Sequence, residues 1–319
     1  MPNKGPAMAS NSTESSMSSF DLVSTDRPLD NVLNFRDVGR SINELSGSKI
    51  LKEGLLFRSA RPDDASERDK QRLVDDIGVA TILDLRSSTE RVLAANRRRN
   101  ELSSENPNET PVTAAADDEH LLRIPEVQRH LISLTGRSFE RMLLWRLDWY
   151  NFIMALGLVA SGYRHDAARI VATNVMKPRG LIGLAQDILD CSGAEMCSIF
   201  NILADDNSYP LIIHCTQGKD RTGLVVLLLL LLLADVVPLK AINSDYIKSE
   251  SELEPELEYL MKEITDIGLD EDYAKCPSDF TDAVKSFLES KYSGVEEYLV
   301  SIGVSKGNID KIRQRLLLV

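Results

Sequence analysis

The stretch from residue 210 to residue 234 constrains the fold more than any other part of the sequence. It reads PLIIHC, then the short loop segment TQGKD, then RTG and the apolar run LVVLLLLLLLA. A short apolar strand followed by a glycine-containing loop and a long apolar helix is typical of a parallel sheet buried between helices. Polar residues in such a loop, with Cys215, Lys219 and Arg221 among them, are held in place by two buried elements, and this arrangement favours a chemical role.

The rest of the chain predicts an α/β fold with a largely parallel central sheet flanked by helices. Further strands are predicted at LLFRSA (55–60), ATILDLR (80–86) and, more weakly, HLLRIP (120–125). Helices are predicted at 63–78, across 135–175 and across 180–203, with a helical insertion at about 126–180. Residues 1–27 are rich in Ser, Asn and Thr and predict a disordered tail, so that 28–319 would form the catalytic domain.

Charge and cysteine content exclude several classes of function. The net charge is −12, with 37 Lys and Arg against 49 Asp and Glu, so the chain lacks the basic surface that nucleic acid binding requires. The four cysteines include no C-x-x-C pair, and we expect neither a metal nor a cofactor. The longest apolar run, 224–234, is shorter than the roughly 20 residues of a membrane span. The N-terminus shows no basic-then-apolar signal pattern, and we expect a cytoplasmic protein without an integral membrane segment.

The loop has the composition of an anion-binding site next to a nucleophile. Backbone N–H groups at the start of a helix attract anions, and an arginine can bind two phosphate oxygens at once. Cationic neighbours and a helix N-terminus also favour the thiolate form of a cysteine. Cys215 is therefore placed to attack phosphorus while Arg221 and the loop hold the phosphoryl oxygens.

HCTQGKDRTG (214–223) resembles the HCxxGxxR[ST] loop of the cysteine-dependent protein tyrosine phosphatases. The GKDRTG form is most similar to the branch found in bacteria and fungi. NFRDVG (34–39), LFRSARP (57–62), ILDLRSSTER (82–91) and the C-terminal stretch 294–316 resemble the same branch in the same order. The resemblance covers most of 30–319, with 92–180 the least specific part, and it implies a phosphatase fold and activity.

The resemblance also implies roles for individual residues. Cys215 would form a phosphocysteine intermediate, and Arg221 would stabilise the transition state without a metal. The WPD tripeptide that supplies the general acid in many phosphatases is missing, which leaves Asp220 as first choice and Asp84 as alternative. Asp84 would more readily lie in the pocket wall against Lys219 or Arg221. The remaining residues predicted to bind substrate or phosphate are His214, Thr216, Gln217, Gly218, Lys219, Thr222 and Arg58.

Substrate class and accessory segments stay open at this point. Phosphotyrosine-containing proteins are the leading substrates. Lys219 would favour phosphoinositides, and Arg58, Arg61 and Arg86 would either bind further phosphates or pair with acidic neighbours such as Asp63, Asp64 and Glu90. A non-catalytic phosphate-binding adaptor and a sulfurtransferase are weaker alternatives. The segment 145–158 is interpreted as a packing layer or as a lid over the pocket, and the acidic stretch 249–272 as a solvated helix face.

Overall fold

The computed structural model describes residues 29–105 and 124–318. The predicted disordered tail at 1–27 lies outside these residues, and the predicted domain boundaries stay a prediction. A five-stranded sheet forms the centre of the described part, in the spatial order β1-β2-β5-β3-β4. The strands are β1 Arg36–Asp37, β2 Leu56–Ser59, β3 Thr81–Asp84, β4 Gln128–Leu131 and β5 Leu211–His214.

All pairings except the antiparallel β1–β2 pair are parallel, which confirms the predicted α/β class with a largely parallel sheet. The edge strand β4 begins at Gln128, after the strand predicted at 120–125, which stays a prediction. Residues 120–123 lie outside the described part, and Ile124 and Pro125 precede the strand.

Helices cover both sides of this sheet. They are α1 Val38–Ser46, α2 Glu67–Gln71, α3 Ser88–Glu105, α4 Arg137–Trp145, α5 Trp149–Ala160, α6 Arg164–Val171, α7 Lys177–Cys191, α8 Gly193–Leu203, α9 Asp220–Leu231, α10 Leu239–Glu252, α11 Leu257–Asp266, α12 Phe280–Tyr292, α13 Val295–Ser301 and α14 Lys306–Leu316. The helix predicted at 63–78 is shorter than expected, since α2 passes into a wider π-helical turn at Arg72–Asp76. The predicted helical insertion is present as α4, α5 and α6.

The strand β5 lies at the middle of the sheet and is buried over its whole length. Ile212 faces a small apolar cluster with Phe57 and Ile82, while Leu211 and Ile213 face the larger core that contains α9. This alternation follows from the two-residue period of a strand whose two faces are both covered. Residues Thr222 to Leu231 of α9 are all buried, as the run of leucines predicted.

The register places three strand ends at the same edge of the sheet. His214 pairs with Ser59 on one side and with Asp84 on the other. The loop after β5 is therefore flanked by the segments that follow β2 and β3, which is where open α/β sheets bind their ligands. No helix in the described part of the chain is long and apolar enough to cross a membrane.

Candidate active site

The loop between β5 and α9 curves around the thiol of Cys215, which is only 2% exposed. The backbone N–H of Gly218 donates a hydrogen bond to Sγ of Cys215 at 3.2 Å. Gly218 has a φ of +67°, and a Cβ on this residue would lie 2.1 Å from the carbonyl oxygen of Ser59. Only glycine fits there, because both the backbone conformation and the close approach of β2 exclude a side chain.

Arg58 holds the loop from below and is itself buried. Its Nη2 donates to the carbonyl of Gly218 at 2.8 Å, and its Nη1 donates to Oδ2 of Asp245 at 2.7 Å. Asp245 also accepts from Nε of Arg36 at 2.8 Å and from the Ser41 hydroxyl at 2.7 Å. Burial lowers the pKa of Arg58 to about 10, against the opposing effect of Asp245. Arg58 was predicted to bind phosphate, but the structure shows it anchoring the loop with its side chain 1% exposed.

Lys219 has a similar structural position. Its ammonium donates to the carbonyl oxygens of Tyr273 at 2.8 Å and Lys275 at 2.9 Å, and the residue is fully buried. These contacts tie the loop to the short segment between α11 and α12. The ammonium of Lys219, which was predicted to bind substrate or phosphate, is thus bound by protein carbonyls in this structure, and its role in substrate binding stays a prediction.

The guanidinium of Arg221, at the first turn of α9, pairs with Glu90 at the first turn of α3. Its Nη1 lies 2.7 Å from Oε2 and its Nη2 lies 2.6 Å from Oε1, so the contact is bidentate. Oε1 of Glu90 also accepts from the Thr216 hydroxyl at 2.6 Å. Burial alone would raise the pKa of Glu90, but the charge and hydrogen bonds of Arg221 outweigh it and hold the pKa at about 2. Glu90 thus joins both ends of the loop to the β3–α3 connection.

The two candidate general acids differ in their surroundings. Asp220 has a side chain 37% exposed, and its Oδ1 lies 3.7 Å from Nζ of Lys219. Asp84 is fully buried and accepts from Nε of Arg86 at 2.9 Å and from Nη2 of Arg129 at 2.5 Å. Although burial raises the pKa of Asp84, His214 and these two arginines hold it well below its usual range. The predicted contact of Asp84 with Lys219 or Arg221 is wrong. Both oxygens of Asp84 instead accept hydrogen bonds from Arg86 and Arg129.

His214 is fully buried next to Cys215. Its Nδ1 lies 3.1 Å from the carbonyl oxygen of Cys215, and its Nε2 lies 3.7 Å from Oδ2 of Asp84. Burial lowers the pKa of His214 to about 4, while the charge of Asp84 acts in the opposite direction. Among the described residues, the Thr222 hydroxyl and Oε1 of Gln217 are buried near this loop without a hydrogen-bond partner.

A small cavity of about 10 Å³ lies over the Thr216 side of the loop. Its lining is Arg61, Thr216, Gln217, Leu253, Glu256, Tyr259, Leu260 and Glu263. The segment 253–263, which includes the start of α11, therefore covers this side of the loop. The segment 145–158 contributes no residue to this cavity, and α5 packs on α6. The interpretation of 145–158 as a lid or a packing layer stays a prediction.

The two remaining arginines are paired, as one of the two sequence interpretations had it. Arg61 lies 3.3 Å from Asp64 and from Glu256, and Arg86 pairs with Asp63 and Asp84. Three contacts were missed by sequence reasoning: Glu90 with Arg221, Asp245 with Arg58, and Arg129 with Asp84. Only the position of Glu90 had a local signal in the sequence. Ser87 and Glu90 have the spacing of a helix-capping pair, which predicts that Glu90 lies in the first turn of a helix.

The comparisons with known proteins agree with this geometry. The model of the tyrosine phosphatase family matches residues 27–318, and the chain belongs to that family. A tyrosine-protein phosphatase of Nostoc commune is 33% identical over 132 residues, which cover 39% of this chain and 45% of that protein. The triple specificity protein phosphatase PtpB of Mycobacterium tuberculosis is 26% identical over 317 residues, covering 91% of this chain and 99% of that protein. The predicted family and the predicted hydrolase class are confirmed.

Proposed function

We propose that this protein hydrolyses phosphotyrosine in proteins through a phosphocysteine intermediate. The observation that carries the proposal is the position of Cys215 at the bottom of a loop that ends in Arg221 at the N-terminus of α9. The Gly218 N–H donates to the Cys215 sulfur, which is the contact that a thiolate requires. The same helix start attracts the anionic phosphoryl group to the thiol.

In the first step the Cys215 thiolate attacks phosphorus and forms an S–P bond while the P–O bond to tyrosine breaks. Asp220 gives its proton to the leaving phenolate oxygen, because its side chain is 37% exposed whereas Asp84, the other candidate general acid, is buried. In the second step a water attacks phosphorus, the S–P bond breaks, and Asp220 accepts the proton of that water. Arg221 compensates the charge that develops on the phosphoryl oxygens in both steps.

The Glu90 pair fits this role for Arg221. A guanidinium has five N–H groups, and Glu90 engages one on each terminal nitrogen. The other contacts of these nitrogens are the longer ones to the hydroxyls of Thr135 at 3.3 Å and Thr216 at 3.5 Å, which phosphoryl oxygens would replace. Glu90 would then hold the plane of the guanidinium in one orientation before substrate binds. Positioning of this kind removes an entropic cost from the chemical step.

Phosphoinositides are the second candidate substrate, and the structure weakens their case. That alternative depended on Lys219 and on Arg58, Arg61 and Arg86 as extra cations. Lys219 and Arg58 are buried against protein acceptors, and Arg61 and Arg86 are paired with carboxylates. The name of the mycobacterial relative, triple specificity protein phosphatase, supports activity on more than one class of phosphomonoester. We therefore place phosphotyrosine first and treat a wider specificity as an outcome of the experiment.

The experiment compares phosphate release from a phosphotyrosyl peptide, a phosphoseryl peptide and a soluble phosphoinositide. It uses the wild type and Cys215→Ser without added metal. Peptide turnover that disappears in the variant, with a phosphoenzyme trapped by acid quench in the wild type only, supports the proposal. Turnover limited to the phosphoinositide contradicts the substrate. Absence of turnover together with tight vanadate binding contradicts the activity and favours a phosphate-binding adaptor.

A further inference from the structure

The helical insertion exposes a large apolar surface that the catalytic site does not use. Its centre is α5, where Trp149 is 79% exposed and Ile153 is 60% exposed, and Trp145 at the end of α4 is 74% exposed. We call this the α5 surface and define it by Trp145, Trp149, Tyr150, Ile153, Leu156 and Val159. Both tryptophans of the chain lie in it. Isolated exposed apolar side chains need no explanation, but a contiguous patch marks an interaction site.

The helix α5 has no polar face. Its sequence is WYNFIMALGLVA, and only Ala155 is buried. A helix that is apolar all round normally lies in a protein core or in a membrane. At 1.5 Å per residue its twelve residues extend about 18 Å, which is shorter than the roughly 30 Å of a bilayer core. The helix therefore cannot span a bilayer, although it could lie in the surface layer of one.

The charges around α5 differ in sign from those of the rest of the protein. The segment 137–169 has five arginines and three acidic residues, a net charge of +2, so the remainder of the chain has −14. No charged residue lies between Asp148 and Arg164. Arg141, Arg164 and Arg169 are exposed. Asp148 caps α5 by accepting from the backbone N–H groups of Tyr150 and Asn151.

The arc of exposed apolar residues also restricts what can cover the helix. At 100° per residue, the exposed positions of α5 from Val159 through Trp149 to Met154 span about 220° of its circumference. A neighbouring helix covers a stripe of roughly 100°, so one helix of a second copy would leave half of this arc in water. A lipid surface closes around a helix from one whole side and covers a wider arc.

We propose that the α5 surface docks on the surface of an anionic lipid bilayer. Trp149 and Tyr150 at one end and Tyr163 at the other have the amphipathic rings that favour the layer between headgroups and acyl chains. Ile153, Leu156 and Val159 would enter the acyl boundary between them. The exposed arginines on the neighbouring helices would contact anionic headgroups, as in other proteins that lie on membranes.

The tryptophans provide a direct readout because both lie in the α5 surface. The full-length protein is mixed with vesicles of phosphatidylcholine alone or with added phosphatidylserine, and tryptophan emission and co-sedimentation are measured. We expect a blue shift and sedimentation with the anionic vesicles, with affinity about tenfold or more above that for neutral vesicles at low salt. Ile153→Glu combined with Val159→Glu should abolish both signals.

Matched variants separate lipid contact from misfolding and from charge alone. Val236→Glu changes another valine with 50% exposure outside the insertion, and it should bind vesicles like the wild type. Arg164→Glu combined with Arg169→Glu should weaken binding to anionic vesicles and leave the weak binding to neutral vesicles unchanged. Turnover of a soluble phosphotyrosyl peptide should be the same in all these variants, because none lies at the catalytic loop.

Two results would overturn the proposal. If the wild type binds neither vesicle but forms a dimer in sedimentation velocity that Ile153→Glu dissociates, the α5 surface pairs with a second copy. If it binds neither vesicle and stays monomeric, a lipid surface is not its partner. Either result leaves the phosphatase proposal intact, since that rests on Cys215 and on soluble substrates.

Discussion

The two sides of the loop that joins β5 to α9 each contain an ion pair between an arginine and a carboxylate, but in different environments. Beneath the loop, Arg58 and Asp245 are both 1% exposed and are locked by Arg36, Ser41 and a loop carbonyl. At the mouth, Arg221 and Glu90 are 15% and 29% exposed. A buried pair cannot exchange its partner for water or ligand without a large desolvation cost, whereas a pair at the mouth can. The lower pair therefore fixes the shape of the loop, and the upper pair presents a guanidinium to a ligand.

The two candidate acids test this contrast most strongly. Asp220→Asn at the mouth should lower kcat for phosphotyrosine by about 10²- to 10⁴-fold, since the leaving phenolate loses its proton donor. In kcat/KM, which reports the first chemical step and not the hydrolysis of the shared phosphocysteine, the loss should be much smaller for p-nitrophenyl phosphate than for phosphotyrosine, because its leaving group needs little protonation. Steady-state kinetics on both substrates measures the difference.

Asp84→Asn is the matched control from the buried side. It should lower the free energy of unfolding by about 3 kcal/mol or more, because Arg86 and Arg129 lose a buried charge partner. It should not create a dependence on the leaving group. If Asp84→Asn shows that dependence and Asp220→Asn does not, the assignment of Asp220 as general acid is wrong.

Asp245→Ala should have the next largest effect, on stability. Removing this carboxylate leaves Arg36 and Arg58 buried without their shared partner, which costs about 3–5 kcal/mol. Urea denaturation followed by circular dichroism measures the change. Asp235→Ala, at an exposed residue after α9, is the control and should stay within about 0.5 kcal/mol of the wild type. A loss below about 1 kcal/mol for Asp245→Ala would contradict the structural role of the buried pair.

The sequence predicted the parts of this site that are local and left out those that depend on distant contacts. Cys215, Gly218 and Arg221 lie within seven residues, and their positions follow from one strand, one turn and one helix start. Asp245 reaches Arg58 across 187 positions, and Arg129 reaches Asp84 across 45. A single sequence has no signal for such pairs, because any exposed acidic residue could provide the same charge.

The same limit explains why the contacts of Lys219 and of the segment 253–263 were not predicted. Lysines in loops are usually solvated, and the two carbonyls that bury Lys219 belong to residues 273 and 275. Nothing in the local pattern of 253–263 distinguishes a helix face over the loop from a solvated acidic face. The parallel sheet was predictable because its strands are apolar on both faces. The edge strand β4 was not predictable in this way, because two of its residues are exposed and two are only partly buried.

His214, on the buried side of the loop, should make the free energy of unfolding depend on pH. Its pKa is about 4 in the folded protein and about 6.5 in an unfolded chain. The unfolded state therefore binds the proton first as the pH falls, and stability present above about pH 6.5 is lost between pH 6.5 and 4. The loss amounts to about 3 kcal/mol at most, from 1.36 kcal/mol per pH unit. Urea unfolding across this range should show the slope, and His214→Asn should flatten it. His165→Asn, at an exposed histidine on α6, should leave the slope unchanged.

Glu90→Gln should have the smallest effect of these substitutions. It distinguishes a pair that acts in catalysis from a pair that acts in folding, because it should change kcat/KM with little change in stability. The amide keeps one oxygen for Thr216 but presents an NH₂ group to the guanidinium, so the bidentate contact with Arg221 is lost. Stability should change by no more than about 1 kcal/mol, as for a partly exposed pair. We expect kcat/KM for phosphotyrosine to fall about tenfold, because Arg221 loses its fixed orientation. Since the pKa of Glu90 is about 2, the ratio of wild-type to variant activity should be flat between about pH 5 and 8.

An increase in the activity of Glu90→Gln, instead of a decrease, would indicate a different role for Glu90. If Glu90→Gln binds vanadate more tightly and turns substrate over faster, then Glu90 competes with the phosphoryl group for Arg221 rather than orienting it. Glu140→Gln, at an exposed glutamate on α4, controls for a change in overall charge and should leave kcat/KM unchanged. A tenfold loss in Glu90→Gln with unchanged stability would place the function of this pair in catalysis, whereas Asp245→Ala would place that of the buried pair in folding. An ion pair between an arginine and a carboxylate would thus stabilise the fold where it is buried and assist the reaction where water and ligand reach it.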